Sequence, residues 1–293
     1  MKIGIHNGLF HADDVFALAV LRLAGKVDAV VRTRDPKLLA TCDLRVDVGR
    51  RYDPAAGDFD HHQEGGAGER TNGLRYASFG LIWKQYGTEV AGSAAAASYV
   101  DEHFVQFIDA DDNGQTPFTS TMPQAPLPLI SQSIGAFNPT WLEPGDEASF
   151  DAAFKQAADI ALELLHREIQ EAQSFLQAAD YVRDALQKNK GELLILDKFV
   201  PWQEIVINEA PEVLYAIFPR ADGTWALQAA RKNLGGFENR RDLPAAWAGK
   251  VDAELAEITG VPDAIFCHTG RFLAVAKSRE GVLKLAEVAL QIS

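Results

Sequence analysis

Positive charge is scarce in this sequence of 293 residues: 28 Lys and Arg stand against 41 Asp and Glu, a net charge of −13. Long duplex DNA is not expected as a partner, because phosphate binding needs a basic surface. The imbalance is uneven: residues 1–190 hold 17 basic and 27 acidic residues, and residues 191–293 hold 11 and 14. Cysteine is nearly absent. Cys42 and Cys267 are far apart, so two reduced thiols are expected, and neither a disulfide framework nor a cysteine-based metal site. No run of about 18 consecutive apolar residues occurs, so no membrane span is expected. The opening MKIGIHNGLFHADD has neither the basic start nor the longer apolar stretch of a signal peptide, and a cytoplasmic location is expected. Apolar residues make up 47%, ample for a packed core.

Length and pattern predict an α/β protein of two domains. Strands are expected at 2–6, 28–32 and 43–48, alternating with a buried helix over 13–24 and a short helix from Asp35. Asp13 or Asp14 stands where a helix N-cap belongs. Strands alternating with helices imply a parallel sheet. A Gly-rich segment, 65–73, is expected to be mobile, and helices are expected over 76–86 and roughly 93–108. Residues 114–145, rich in Pro, Thr and Ser, suggest an extended connection. Residues 147–188 carry an amphipathic pattern of one or two long helices, a bridge between domains that permits a homodimer without requiring one. Short strands at 193–196, 213–218, 225–230, 264–267 and 272–276 and a helix over 278–291 make a smaller α/β domain. The expected division is 1–145 for a metal-binding catalytic domain, 146–190 for a helical connector and 191–293 for a substrate-binding domain, with the active site in the cleft between domains.

Four of the seven histidines lie in the first 62 residues, each beside aspartate: H6-N-G-L-F-H11-A-D13-D14 and D58-F-D60-H61-H62. Asp47 closes the run DLRVDV, and Asp109, Asp111 and Asp112 follow an apolar run ending at Ile108. In open α/β sheets ligands bind at the carboxyl ends of strands. All four clusters are expected at such ends, so they can converge although about a hundred residues separate them. A lone His–Asp pair is more often a simple hydrogen bond, and aspartates at 13, 14 and 109–112 can be caps or turns. Four clusters together point instead to a metal centre. Imidazole and carboxylate donors suit Mn²⁺, Zn²⁺, Co²⁺ or Fe²⁺. More than four candidate ligands imply two ions, with Asp47 well placed to bridge them. Two ions about 3.5–4 Å apart can polarise a phosphoryl oxygen and lower the pKa of a water between them.

The spacing H6-x4-H11-x-D13, the strand-end Asp47 and Asp60-His61-His62 resemble the DHH phosphoesterase superfamily, which includes manganese-dependent pyrophosphatases and RecJ-like exonucleases. HNGLFHADD, DVGRRYDPAAGDFDHHQ, ASFGLIW, IDADDNG and FENRRDLPAAW more closely resemble the MYG1 family, in that family's order, from residue 5 to about 276. The resemblance implies a DHH-type parallel-sheet domain followed by a smaller substrate-binding α/β domain. It implies metal ligation by His6, His11, Asp13, Asp47, His61 and one of Asp109 and Asp112, with Asp109 preferred. His62 would contact phosphate or donate a proton, and Asp60 would orient a histidine. Substrate contacts are expected from Arg240, Arg241, His268, Gly270 and Arg271, arginine offering a fork that matches phosphate.

The implied activity is 3′–5′ exonuclease or phosphodiesterase cleavage of short RNA or single-stranded oligonucleotides with two Mn²⁺ ions, Mg²⁺, Co²⁺ or Zn²⁺ being alternatives. A pyrophosphatase or small nucleotide phosphatase is the second expectation. A metal-dependent nucleotide-binding protein without turnover is the third.

Overall fold

Residues 2–5, KIGI, alternate little in polarity because the strand they form is covered on both faces; Ile3 and Ile5 are fully buried. In the computed structural model, which describes residues 1–115, 118, 129–189 and 191–292, this strand lies inside a five-stranded sheet, between two parallel neighbours. The chain divides into two compact units, Met1–Gln173 and Ser174–Ser293.

The first unit opens with β1 (Lys2–Ile5), α1 (Ala12–Leu23), β2 (Ala29–Arg32), α2 (Pro36–Leu39) and β3 (Leu44–Val46). Next come β4 (Tyr52–Asp53), β5 (Asp58–Phe59), α3 (Ser78–Ala91), α4 (Ala94–Val100) and α5 (Gln106–Asp112). A π-helical turn at Asp101–Val105 joins α4 to α5. Then come α6 (Ile130–Gly135) and the single helix α7 (Glu147–Lys188), which runs past the division between the units. The sheet order is β2-β1-β3-β5-β4. β1, β2, β3 and β5 run parallel, and β4 pairs antiparallel with β5. α1 is buried from Ala12 to Leu21, and Phe16 stacks on Phe79 of α3 at 5.3 Å. α7 buries Phe154, Ala158, Ala161, Leu165 and Ile169, and leaves Leu162 half-buried.

The second unit contains β6 (Leu193–Ile195), α8 (Gln203–Glu209), β7 (Tyr215–Pro219), β8 (Trp225–Ala229), α9 (Asp252–Thr259), β9 (Ala264–Cys267), β10 (Leu273–Ala276) and α10 (Arg279–Gln291). Its sheet order is β6-β7-β8-β10-β9, with only the β6–β7 pair parallel. Side chains alternate across β7. Ala216 and Phe218 join Trp202, Ile205 and Val206 on one face, while Tyr215 and Ile217 join Leu255, Val282 and Leu285 on the other.

Several expectations need correction. The 114–145 stretch is not wholly extended, since α6 lies within it; residues 116–117 and 119–128 of that stretch lie outside the described residues. α8 and α9 were not anticipated. Neither were β4 and β5, whose two-residue lengths carry no period. In the Gly-rich segment 65–73, Arg70 is buried and donates to both carboxylate oxygens of Asp101 at 2.8 and 2.7 Å. No helix among the described residues is long and apolar enough to cross a membrane. Cys42 and Cys267 are free and buried.

Candidate metal centre

Adjacent parallel strands present their carboxyl ends side by side, and β1, β3 and β5 are adjacent. His6 follows β1 directly, Asp47 follows β3, and Asp60-His61-His62 follows β5. The chain turns sharply after β3: Asp47 has φ 52°, Gly49 φ 103° and Arg50 φ 56°. A β-carbon disfavours this left-handed region, though aspartate tolerates it better than most residues. The turn brings Asp47 against three imidazoles.

Two helix starts complete the cluster. His11, not Asp13 or Asp14, is the N-cap of α1, and its backbone N–H donates to Asp14 Oδ1 at 3.1 Å. Asp13 and Asp14 therefore lie in the first turn, both fully buried. Ser78 begins α3; its N–H donates to Asp13 Oδ2 at 3.2 Å and its hydroxyl donates to Asp47 Oδ1 at 2.9 Å. The fourth cluster comes from the end of helix α5, not from a strand end as expected: Asp112 Oδ2 is 3.1 Å from His61 Nε2.

His6 Nε2 lies 3.0 Å from Asp14 Oδ2 and 3.2 Å from Asp47 Oδ2. His61 Nε2 lies 3.4 Å from Asp47 Oδ1 and 3.8 Å from Asp13 Oδ2. His62 Nδ1 lies 2.8 Å from Asp60 Oδ1 and 3.4 Å from Asp47 Oδ1. Among the described residues, three sets bring donor atoms within 4.8 Å of one another: His6, His11 and Asp47; Asp47, His61 and His62; and His11, Asp13 and Asp112. Asp47 belongs to two of these sets and His11 to two. Asp13 Oδ1 is buried without a polar partner, and Asp14 Oδ2 and His61 Nε2 are buried with ion-pair contacts alone. An orphaned atom of this kind is costly unless something fills the gap beside it. A mixed imidazole–carboxylate donor set with an unpaired atom fits a divalent cation.

The charges are tightly interlocked. Burial disfavours a charged His6 and a charged His61. Neighbouring carboxylates outweigh it and push each imidazole up to about 10, through Asp14 and Asp47 for His6 and through Asp112 and Asp47 for His61. Asp47 and Asp60 push His62 up to about 9 against burial. Burial alone would raise Asp47, yet the three histidines hold it well below the usual carboxylate range. Asp13 is pushed well above that range by burial and by Asp47, Asp112 and Asp14. Asp60 is lowered despite burial, because it accepts from the His62 ring, the His62 N–H and the Arg50 N–H.

Asp109 stands apart from the cluster. It is fully buried, accepts from the Gly80 N–H at 2.9 Å and lies 2.8 Å from Arg70 Nη2. Burial pushes its carboxyl up to about 7 against the pull of Arg70. The preference for Asp109 over Asp112 is thus reversed, because the first turns inward to an arginine and the second toward His61.

In the second unit Arg240 has no guanidinium edge to spare. It donates to the carbonyls of Ala210 and Val213 at 2.7 and 2.9 Å, and to Val206 and Ile207 at 3.0 and 3.3 Å, closing the C-terminus of α8. The expected substrate role for Arg240 is therefore corrected to a structural one. Arg241 lies 3.8 Å from Glu192, and Arg271 donates to Asp242 at 2.5 Å. His268 Nδ1 accepts from the Gly270 N–H at 2.9 Å. The left-handed residue in this turn is Arg271, φ 55°, and not Gly270. The residues that escaped notice as site members are Asp14 and Ser78. Asp14 resembled a helix cap, and a buried serine at a helix start has no distinguishing neighbour in sequence.

A sequence model of the family described as MYG1_exonuc, uncharacterised protein family UPF0160, matches residues 2–290. The chain belongs to the MYG1 family. It is 33% identical over 324 residues to the MYG1 exonuclease of Homo sapiens, covering 99% of this chain and 85% of that protein. It is 32% identical over 318 residues to a MYG1 protein of Schizosaccharomyces pombe, covering 99% and 97%. Among solved structures, a pGpG-specific phosphodiesterase from Vibrio cholerae aligns over 99% of this chain and 98% of its own, at 13% identity and a TM-score of 0.32. That score is too low to bear on function. The MYG1 match spans both units, so the histidine–aspartate cluster sits in a chain that is a family member along nearly its whole length.

Proposed function

We propose that this chain is a metal-dependent phosphoester hydrolase, a 3′–5′ exonuclease or phosphodiesterase acting on short RNA or single-stranded oligonucleotides. One observation carries the reading: Asp47 is shared by two histidine-containing donor sets, beside a buried Asp13 oxygen that has no hydrogen bond. Full-length similarity to relatives named exonucleases supports it.

His6, His11, Asp13, Asp47, His61 and Asp112 would hold two divalent cations, Mn²⁺ suiting this donor set, with Asp47 common to both. Bound there, the cations supply Lewis-acid polarisation of a phosphoryl oxygen and lower the pKa of a nearby water. Ser78 fixes Asp47 and Asp13 through its hydroxyl and its backbone N–H. Asp60 accepts at His62 Nδ1 and so fixes the ring. With Asp47 and Asp60 keeping it cationic, His62 is the proton donor to a phosphoryl or leaving oxygen. Its exposed ring can reach a bound substrate, unlike buried His6.

His61→Ala and Asp47→Ala are each expected to abolish Mn²⁺-dependent cleavage of a short RNA while the circular dichroism spectrum stays unchanged. Wild-type turnover in either variant would count against the reading. Release of orthophosphate from pyrophosphate, with short RNA left intact, would favour a pyrophosphatase instead.

A further inference from the structure

A cavity of about 800 Å³ opens beside the cluster, lined by His6, Asp47, Asp60 and His62 and by residues of α2 and the 48–58 segment. Part of its wall is apolar, from Pro36, Leu39, Ala40, Val48 and Ala56. The rest is basic. Arg34, Arg45, Arg50 and Arg51 line it against three aspartates, Asp47, Asp58 and Asp60, a local reversal in a chain of net charge −13.

The arginines are not equivalent. Arg45 pairs with Asp58 and donates to the Cys42 carbonyl; Arg51 pairs with Asp53 and Asp58. Arg34 donates to the Asn7 carbonyl and, at 3.3 Å, to its side chain. The Arg50 guanidinium has no ion pair or hydrogen bond among the described residues. Its backbone, by contrast, is fixed: Arg50 adopts φ 56°, and its N–H donates to Asp60 Oδ2 at 2.6 Å. The other oxygen of Asp60 holds the His62 ring at 2.8 Å. One carboxylate thus sets both the free arginine and the histidine of the proposed reaction. Strained backbone kept by a rigid surround is characteristic of ligand-binding positions.

We propose that this cavity seats one terminal nucleotide of the substrate, with its base on the apolar wall and its phosphate on Arg50. The inference rests on the phosphoester reading of the neighbouring cluster and names where that substrate lies. A guanidinium fork matches phosphate with two parallel hydrogen bonds. The volume falls in the range of about 300–1,000 Å³ typical of small-ligand sites. Binding of a long single strand relies on aromatic side chains that stack successive bases. Among the described residues no Phe, Tyr or Trp lines this cavity, which favours a single unit over a tract.

The test is calorimetric titration of the full chain, in Mn²⁺, with AMP, adenosine and inorganic phosphate, alongside a short-RNA cleavage assay. Arg50→Ala is expected to weaken AMP at least about tenfold, the loss of a charge-assisted contact, and to leave adenosine within about twofold. Arg50→Lys, which keeps the charge but not the fork, should fall between. Ala40→Trp, at an exposed position, should fill the apolar part and weaken AMP and adenosine while leaving phosphate unchanged. AMP affinity indifferent to all three substitutions overturns the assignment, as does failure of the unsubstituted chain to bind AMP. If RNA is still cleaved in that case, the hydrolase reading stands without this pocket. The expected affinity pattern in a chain that cleaves nothing keeps the pocket and removes the hydrolase reading.

Discussion

Ser78 and Asp47, 31 residues apart, meet through a buried hydrogen bond of 2.9 Å in which the hydroxyl donates to Oδ1. It ties the start of α3 to the end of β3, and it aims the carboxylate shared by two donor sets. Groups that orient a metal ligand matter nearly as much as the ligand itself. Ser78→Ala should therefore lower Mn²⁺ affinity by about 10–100-fold with the fold retained. Titration of the metal-stripped variant reads this directly, and unchanged affinity would show that Asp47 needs no such support.

The metal-stripped protein should respond to pH in a definite direction. His6 and His61 titrate near 10 in the folded chain and near 6.5 unfolded. Their contribution to stability is fully present below about 6.5 and is lost as pH rises through about 10. A cation must displace these protons, since ligating imidazoles are neutral, so apparent metal affinity should rise over the same window. Thermal melts with and without Mn²⁺ across pH 6.5–10 give both trends. A stripped protein that grows more stable with rising pH would contradict the assignment of charge to these rings.

Asp109 and Asp112, one helical turn apart, should separate cleanly. Asp112→Ala is expected to weaken metal binding while leaving stability nearly unchanged. Asp109→Ala strips a buried partner from Arg70 and should cost about 3 kcal/mol, with metal binding intact in the folded fraction. Gly80→Ala probes the same contact, because its β-carbon would sit 1.8 Å from Asp109 Oδ2 and 2.8 Å from Arg70 Nη2. Urea denaturation and Mn²⁺ titration on the three variants check this, and a metal defect confined to Asp109→Ala would invert the two roles.

Arg240→Ala should destabilise the second unit by about 1–3 kcal/mol, since four carbonyls around the end of α8 lose their donor. KM for a short RNA should not move. A raised KM with an unchanged melting temperature would return Arg240 to the substrate.

The sequence makes the histidine–aspartate cluster more legible than the arginines. His6, His11, Asp13, Asp47 and His61 stand out because histidine next to aspartate at the end of an apolar run is uncommon. The structure gathers these residues through the parallel order of β1, β3 and β5. Asp109 and Asp112 cannot be told apart in IDADDNG, because which carboxylate faces inward depends on the helical phase of α5 and on a buried arginine at position 70. Arg240 and Arg241 invite a ligand role as an adjacent basic pair. Whether a guanidinium is consumed by local carbonyls is a tertiary fact. Arg50, inside GRRYD, has no distinguishing sequence signal, since its left-handed backbone and its tether to Asp60 leave no mark on composition. Most longer helices were readable from their periodicity. β4 and β5 were too short to have one, although β5 delivers Asp60 and His61.

His6, Asp13, Asp47, His61 and Asp112 hang from five separate segments of the first unit, and no segment supplies enough donors to grip a cation alone. A cation held there would need the strands in register before its donors meet. Cations bound by the proposed set would act as a clasp across the sheet, tight only when every piece is home.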